Sequence, residues 1–209
     1  MKKEFTDCPK AIDQSGLFGF ASWQEYVAAV PAPLVAVTGY KSNGLANVTM
    51  QSWCALHGDH MLFAGVDKGS HLFRIAREAG ELAVNFPTAA VFHRCMRTIE
   101  HNGWDEDEIA AAGLTAEPSR VVNAPRIAEC PLSLECRCLW EREPEPGAPS
   151  VVLCLKVLHV AMDPALDRCG PKGCLYNIRS RGDPETGERR PPMLGVLTEL
   201  GTYGEIPVE

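Results

Sequence analysis

The sequence predicts a mainly β fold, an antiparallel barrel of about six short strands that is closed or nearly closed and carries inserted helices. Short apolar runs separated by tight turns indicate antiparallel strands, because a parallel pair needs a long crossover connection. Two amphipathic segments, after the third and the fourth strand, indicate the inserted helices. No Gly-x-Gly-x-x-Gly motif joins a strand to a helix, which disfavours a doubly wound nucleotide-binding fold.

The first third of the chain is predicted to form a short helix and then three strands. Ser22 and Glu25 form a capping box, so a helix should begin there and end before Pro31. Asn43-Gly44 is typical of a hairpin turn, and Gly58-Asp59 is predicted to form the next turn. The predicted strands are residues 34–38, 45 to about 55, and 60–66.

The middle of the chain changes to a helical period. Apolar residues at i, i+3, i+4 and i+7 predict an amphipathic helix over 70–79, which Gly80 should end. A strand is predicted at 81–86. Thr88 should cap a second helix whose apolar face is Phe92, Cys95, Met96 and Ile99, and a short acidic helix is predicted at 105–112.

The last third begins with strict alternation of apolar and polar residues over 132–141, which predicts a half-buried strand. The returning strand is predicted at 151–162. Residues 163–192 are rich in Gly, Pro and charge and should form a long surface excursion. Without a repeat or a low-complexity linker, the chain is expected to be a single domain over 1–209, with its core at about 30–162.

Composition and charge limit the partners and the compartment. The 209 residues carry a formal net charge of −7, which argues against a general nucleic-acid-binding surface. No apolar run is long enough for a signal peptide or a membrane span, so a cytoplasmic protein without membrane contact is expected. The nine cysteines should be free thiols. Only Cys169 and Cys174 resemble a metal-ligand pair, and a structural zinc needs four ligands, so we expect no metal site.

Two segments present groups that a ligand could use. Lys68-Gly-Ser-His71 combines a cation, a hydroxyl and the N–H groups of a helix start, which suits a phosphate. The alternative is an ordinary helix cap with Lys68 in solvent. The strand Asn47-Val-Thr-Met-Gln-Ser-Trp53 carries polar side chains that could pair with a heteroaromatic ring, or it is a polar edge strand with a core Trp. No catalytic triad or metalloprotease motif accompanies them.

The same segments carry a family resemblance. Pro33-Leu-Val-Ala-Val-Thr38, Ala46-Asn47, Ser52-Trp53 and Gly80-Glu-Leu-Ala-Val-Asn85-Phe-Pro87, in this order, resemble the flavin reductase-like FMN-binding split-barrel family, and its flavoredoxin-like branch most. Ala112-Gly-Leu-Thr115, Pro125 to Cys136 and Leu200-Gly-Thr-Tyr203 resemble its later blocks.

The resemblance implies a six-stranded antiparallel Greek-key split barrel, usually a homodimer, with noncovalently bound FMN near the subunit interface. NAD(P)H is the implied electron donor, and the chemistry is carried by the flavin, so no catalytic side chain is named. Leu72 stands where a second hydroxyl often follows the phosphate loop. By position, the implied cofactor-binding residues are Asn47, Val48, Thr49, Met50, Gln51, Ser52, Trp53, Lys68, Ser70, His71, Asn85 and Phe86.

Three functions therefore stay open at the level of the sequence. The first is an FMN-dependent NAD(P)H:flavin oxidoreductase. The second is an FMN electron carrier that a partner protein reduces. The third, of a different class, is a non-catalytic flavin-binding protein or a Cys-rich metal-binding protein.

Overall fold

The computed structural model describes residues 2–10, 24, 28, 30–167, 169–178, 186 and 193–199. The chain divides into two compact units, one formed by 1–32 and 176–195, the other by 33–175 and 196–209. The predicted helix after Ser22, the closing segment 200–203 and much of the 163–192 excursion lie outside the described residues. No helix within the described ranges is long and apolar enough to cross a membrane.

The strands of the described residues are β1 Ala32–Pro33, β2 Val35–Tyr40, β3 Ala46–Gln51, β4 Cys54–His57, β5 Met61–Asp67, β6 Glu81–Phe86, β7 Ala116–Pro118, β8 Pro125–Ile127, β9 Leu132–Arg142, β10 Ser150–Met162, β11 Tyr176–Asn177 and β12 Leu194–Gly195. The larger unit is built on one antiparallel sheet of seven strands, in the order β3-β2-β6-β9-β10-β5-β4. The strands β7 and β8 form a separate antiparallel pair, as do β11 and β12 in the smaller unit.

The predicted second strand is wrong in one respect, because it breaks into β3 and β4 at Ser52-Trp53. Gln51 still pairs with Val35 of β2, whereas the Trp53 carbonyl already accepts from the Gly65 N–H of β5 at 2.8 Å. The strand thus changes its partner over two residues, and β3 and β4 lie at opposite edges of the sheet. The sheet therefore curls toward a barrel, and the predicted six strands become seven.

In the part of the chain that the structure describes, three helices are inserted between the strands: α1 His71–Glu78, α2 Ala89–Arg97 and α3 Glu108–Ala111, with a 3-10 turn at Thr98–His101. The prediction for α1 is confirmed, because the Ser70 hydroxyl accepts from the Phe73 N–H and Leu72, Ile75 and Ala76 are buried. The apolar face predicted for α2 is only partly right. The helix tightens into the 3-10 turn after Arg97, so Ile99 is 57% exposed, and Val91 and Cys95 are the buried residues.

The hydrophobic core has two main parts. One fills the concave side of the curled sheet, and the other packs α2 and α3 against β2 and β3. The first contains Val37, Leu62, Leu72, Ile75, Leu82, Leu134, Leu153 and Leu155 among others. The second includes Ala36, Val48, Val91, Cys95, Ile109 and Ile127.

Candidate functional site

The strand β3 places the predicted flavin-contacting residues at one edge of the sheet. Hydrogen bonding to β2 covers one side of this strand, with Gly39 opposite Asn47 and Ala36 opposite Met50. On the other side of the strand, the backbone N–H of Val48 donates a hydrogen bond to the Glu108 carboxylate of α3 at 2.7 Å. Asn47 and Val48 are buried, whereas Thr49, Met50 and Gln51 are half-buried.

Glu108, the first residue of α3, is fully buried in an ion pair with Lys41. Their side chains are 0% exposed, and the Lys41 ammonium lies 3.0 Å from Glu108 Oε1. Lys41 also donates to the carbonyls of Gly103 and Glu106, at 2.7 and 2.8 Å, so its three N–H groups have acceptors. Burial raises the pKa of Glu108, and the Val48 N–H and Lys41 oppose that rise.

The same carboxylate connects β3 to the start of α1. The Asn47 amide, with its nitrogen toward the carboxylate, donates to Glu108 Oε1 at 3.1 Å. His71 Nδ1 lies 3.8 Å from the same oxygen, and the imidazole is 24% exposed. The ring packs edge-on against Trp104 at 5.0 Å between centroids, and the Arg74 guanidinium covers the Trp104 face at 3.9 Å. Asn47, Val48 and His71 are therefore brought together around Glu108.

In the loop before α1, the polar groups of Lys68, Gly69 and Ser70 already have partners within the protein. The Ser70 hydroxyl donates to the Asp67 carbonyl and accepts from the Phe73 N–H, so it acts as the helix cap. The Gly69 N–H donates to the Asp67 carboxylate at 2.6 Å. Lys68 forms an ion pair with Glu143 in the turn between β9 and β10. A phosphate at this loop would have to compete with Glu143 for Lys68.

Two predicted residues carry groups that the protein leaves unpartnered. Among the described residues, two buried side-chain nitrogens lack a hydrogen-bond partner, Gln51 Nε2 and His71 Nδ1, whereas Arg126 Nε has an ion pair with Glu117 Oε2 at 3.1 Å. A buried donor without an acceptor costs about 1–3 kcal/mol, so such groups are rare unless a ligand or water completes them. Both belong to the predicted set. His71 Nδ1 faces Glu108 Oε1 at 3.8 Å, so Gln51 Nε2 is the group that fits a polar ligand beside β3.

Asn85 and Phe86 do not join this group. The Asn85 amide donates to the Ala36 carbonyl and the Thr38 hydroxyl at 3.0 and 3.1 Å, and it accepts from the Ile127 N–H and the Ser133 hydroxyl at 3.0 and 2.8 Å. These four bonds use the hydrogen-bonding capacity of the amide, so Asn85 supports the fold. Phe86 belongs to the core on the concave side.

Ser52 and Trp53 lie at the break between β3 and β4. Ser52 is buried and Trp53 is half-buried. The Trp53 side chain packs over Gly65, where an added Cβ would lie 3.2 Å from the Trp53 Cβ. Gly65 thus permits the close approach of the two strands.

The cysteines form no metal centre in the described part of the chain. None of its His, Cys, Asp and Glu side chains group in threes or more in a way that could hold a metal ion. All nine cysteines are free thiols. Burial raises the pKa of both Cys54 and Cys136 to about 12, so these thiols stay protonated and unreactive at neutral pH.

Three residues of the site were not predicted: Lys41, Trp104 and Glu108. The sequence places Lys41 in a turn and Glu108 in an acidic helix, where a charged residue usually faces solvent. A helix only four residues long shows no clear apolar face, so the sequence contains no sign that Glu108 points inward.

A comparison with known families gives this arrangement its context. Residues 27–180 match the family model of the flavin reductase like domain. The chain belongs to the flavin reductase-like family. Solved structures with a similar fold include a flavoredoxin and a putative flavin reductase with a split-barrel domain, in agreement with the resemblance.

Several proteins are similar to this chain at low sequence identity. A protein of Methanothermobacter thermautotrophicus described as uncharacterized is 26% identical over 180 residues, which cover 83% of this chain and 78% of that protein. Flavoredoxin of Desulfovibrio vulgaris (Miyazaki F) has a TM-score of 0.66 at 18% identity and covers 84% of this chain and 92% of its own. The NADH:FAD oxidoreductase of Streptomyces globisporus C-1027 has a TM-score of 0.59 at 16% identity, with 68% and 83% covered.

Proposed function

We propose that this protein is an FMN-binding oxidoreductase that accepts electrons from NAD(P)H and passes them to a flavin. The observation that carries the proposal is the juxtaposition, around Glu108, of the polar strand β3 and the start of α1, with buried unpartnered nitrogens on Gln51 and His71. A flavin bound there would supply the hydride and electron transfer.

The residues of this chain would bind and orient the cofactor. Thr49 and Gln51 offer a hydroxyl and an amide for the polar edge of the isoalloxazine, and Trp53 offers apolar surface. Lys68 offers a cationic group and His71 a ring nitrogen for the phosphate, while Ser70 holds the helix start in place. Family membership supports a flavin, and the choice of FMN rests on the helix-start position of these two groups.

Glu108 is poorly placed to act as an acid or base for a second chemical step. Glu108 is enclosed by Lys41, Asn47 and the Val48 N–H, and burial raises its pKa. Such a carboxylate orients its neighbours better than it exchanges protons with a substrate. Catalysis would then depend on how the site positions the flavin and excludes water from it.

A homodimer is part of the proposal. On the core face of β10, Val160 is 52% and Met162 62% exposed, although their neighbours Val157 and Leu155 are buried on that face. Leu56 of β4 is 67% exposed. The apolar side of the sheet that forms the core is thus exposed at Leu56, Val160 and Met162. An exposed apolar surface of this kind is suited to contact with a second copy of the chain.

An electron carrier of the flavoredoxin kind is the second candidate, and similarity to flavoredoxin favours it. The test is an anaerobic absorbance spectrum of the FMN-loaded protein with NADH and NADPH in turn. Bleaching without any partner protein supports the reductase. If only a reduced protein partner bleaches the flavin, the electron carrier is correct. If the apoprotein binds neither FMN nor riboflavin, both candidates fail.

A further inference from the structure

The outer edge of β3 carries an inference that rests on the proposed flavin site and deepens it. β3 stands at the end of the sheet order, and β2 pairs with one of its two edges. On the other edge, the Val48 N–H donates to the Glu108 carboxylate at 2.7 Å and the Ala46 N–H donates to the Asp107 carboxylate at 3.4 Å. Two consecutive carboxylates at the start of α3 therefore bind the outward N–H groups of this edge.

Strand geometry shows where the part of the edge bound by carboxylates ends. Along an antiparallel strand, successive residues direct their N–H groups alternately toward the partner strand and away from it. Ala46 and Val48 both direct theirs away from β2, so Met50 is the next residue on this edge. The second half of the edge, from Met50 on, also contains Gln51, whose Nε2 is buried without a hydrogen-bond partner in the described part of the chain. A polar ligand is therefore expected beside the second half of β3.

Lys41 holds Glu108 in the orientation that binds β3. The Lys41 ammonium lies 3.0 Å from Glu108 Oε1, and both side chains are fully buried. Lys41 also donates to the carbonyls of Gly103 and Glu106, which precede α3, at 2.7 and 2.8 Å. A buried charge that left its partner would remain uncompensated, so this pair is strongly constrained to one arrangement. Lys41, which directly follows β2, thus fixes Glu108, and Glu108 fixes β3.

We propose that Lys41 and Glu108 are positioning residues for the flavin. Through its hydrogen bond to the Val48 N–H, Glu108 holds β3 so that the isoalloxazine ring binds along the second half of the edge, beside Met50 and Gln51. Neither residue of the ion pair touches the ligand. FMN and riboflavin share the isoalloxazine ring and differ in the phosphate, so a displaced β3 weakens the binding of both by the same factor.

The experiment compares two double variants that replace the buried ion pair with uncharged side chains. Both charges are removed together, because a single substitution would leave one buried charge unpaired. Lys41→Met/Glu108→Gln keeps a carbonyl oxygen for the Val48 N–H, whereas Lys41→Met/Glu108→Leu removes this acceptor. The two variants are otherwise matched, so their difference isolates the hydrogen bond to β3. The full-length apoprotein of the wild type and of each variant is titrated with FMN and with riboflavin.

The Glu108→Leu variant should bind FMN and riboflavin about five- to thirtyfold more weakly than the Glu108→Gln variant, by the same factor for both ligands. Equal riboflavin affinities of the two variants, or a loss confined to FMN, overturn the positioning role. If the Glu108→Leu variant does not fold, Lys41→Met/Glu108→Met takes its place, because methionine fills irregular space more easily. If neither variant folds, the hydrogen bond is structural and the proposal fails.

Hydrogen exchange of the two apoproteins separates positioning from a general loss of structure. Amide exchange in the Glu108→Leu variant should be faster than in the Glu108→Gln variant over β3 and unchanged over β9 and β10. Faster exchange throughout the sheet would make the ion pair merely structural and overturn the proposal. A wild type that binds neither FMN nor riboflavin overturns the proposed function itself, which distinguishes that failure from equal binding by the two variants.

Discussion

Asn85 and Glu108 are both fully buried polar residues, yet they differ in what they leave for a ligand. The four shortest hydrogen bonds of the Asn85 amide end on β2, β8 and β9. Glu108 instead organises residues of β3 and α1 that retain unpartnered nitrogen atoms nearby. The resemblance implied a ligand role for Asn85 and none for Glu108. The two residues differ in their hydrogen-bond partners, which lie far away in the chain. The local sequence around each residue therefore does not reveal the difference.

Lys68→Ala should weaken FMN binding by roughly 1.5–3 kcal/mol, about ten- to a hundredfold, because a charge-assisted bond to the phosphate is lost. Riboflavin affinity should barely change. Fluorescence titration measures both, and Lys156→Ala, an exposed lysine on β10, is the matched control. Equal losses for the two ligands would mean that Lys68 supports the structure through Glu143.

Glu81 should contribute a pH-dependent part of the stability. The Asn123 N–H, which donates to its carboxylate at 2.7 Å, and then Arg137 hold the pKa of Glu81 below its ordinary value. A lowered pKa in the folded state means that the contribution is present above the unfolded-state pKa and is lost as pH falls through the folded-state pKa.

Glu81→Gln should therefore lower the free energy of unfolding at pH 7 by about 1 kcal/mol. The difference from the wild type should shrink as pH falls from about 5 to about 3. Urea unfolding at several pH values measures it, with the exposed Glu145→Gln as control. A difference that is constant with pH would contradict the ionic origin.

At the scale of elements, α1 depends on a glycine in the strand beneath it. A Cβ on Gly39 of β2 would lie 2.7 Å from Ile75 Cγ2 and 3.1 Å from Leu82 Cδ2. Ile75 is buried and β-branched, so it has little freedom to move away. The missing side chain lets α1 lie close to the sheet, and α1 carries both Ser70 and His71 at its start.

Gly39→Ala should destabilise the fold by about 1–3 kcal/mol through overpacking, measured by urea or thermal unfolding. The matched test is Ile75→Leu, which removes Cγ2 while it conserves volume. In the Ile75→Leu background, Gly39→Ala should cost clearly less. The same cost in both backgrounds would show that contact with Ile75 Cγ2 is not the cause.

In the larger unit, the apolar residues Val160 and Met162 at the end of β10 are exposed on the side of the sheet that forms the core. Packing within one chain does not explain this exposure. The register shift between Val157 and His159 reverses the alternation of the strand. Val160 and Met162, which pair with Leu134 and Leu132, therefore face the same side as the buried Val157. Their exposure shows that this end of β10 extends past the part of the sheet that the rest of the barrel covers. We expect a second copy of the chain to cover this face.

Val160→Glu should therefore convert a dimer of this chain into a monomer, because a carboxylate would have to be buried in the interface. Light scattering of the FMN-loaded protein measures the mass, which is 22.8 kDa for one chain. Val121→Glu, at a residue 45% exposed in the loop before β8, is the control. A wild-type monomer, or a dimer that tolerates Val160→Glu, would contradict the proposed interface.

The strands, the turns and α1 follow from local sequence patterns. Alternation over 132–141, the Asn43-Gly44 turn and the spacing of Leu72, Ile75 and Ala76 each reflect interactions within about ten residues, so they can be recognised without a structure. Only the tertiary structure decided where the long strand breaks, because β3 and β4 change partner between β2 and β5. It also decided the interior of the site. Lys41 and Glu108 are 67 residues apart in the chain, and a buried ion pair is recognisable only when both partners are seen in contact.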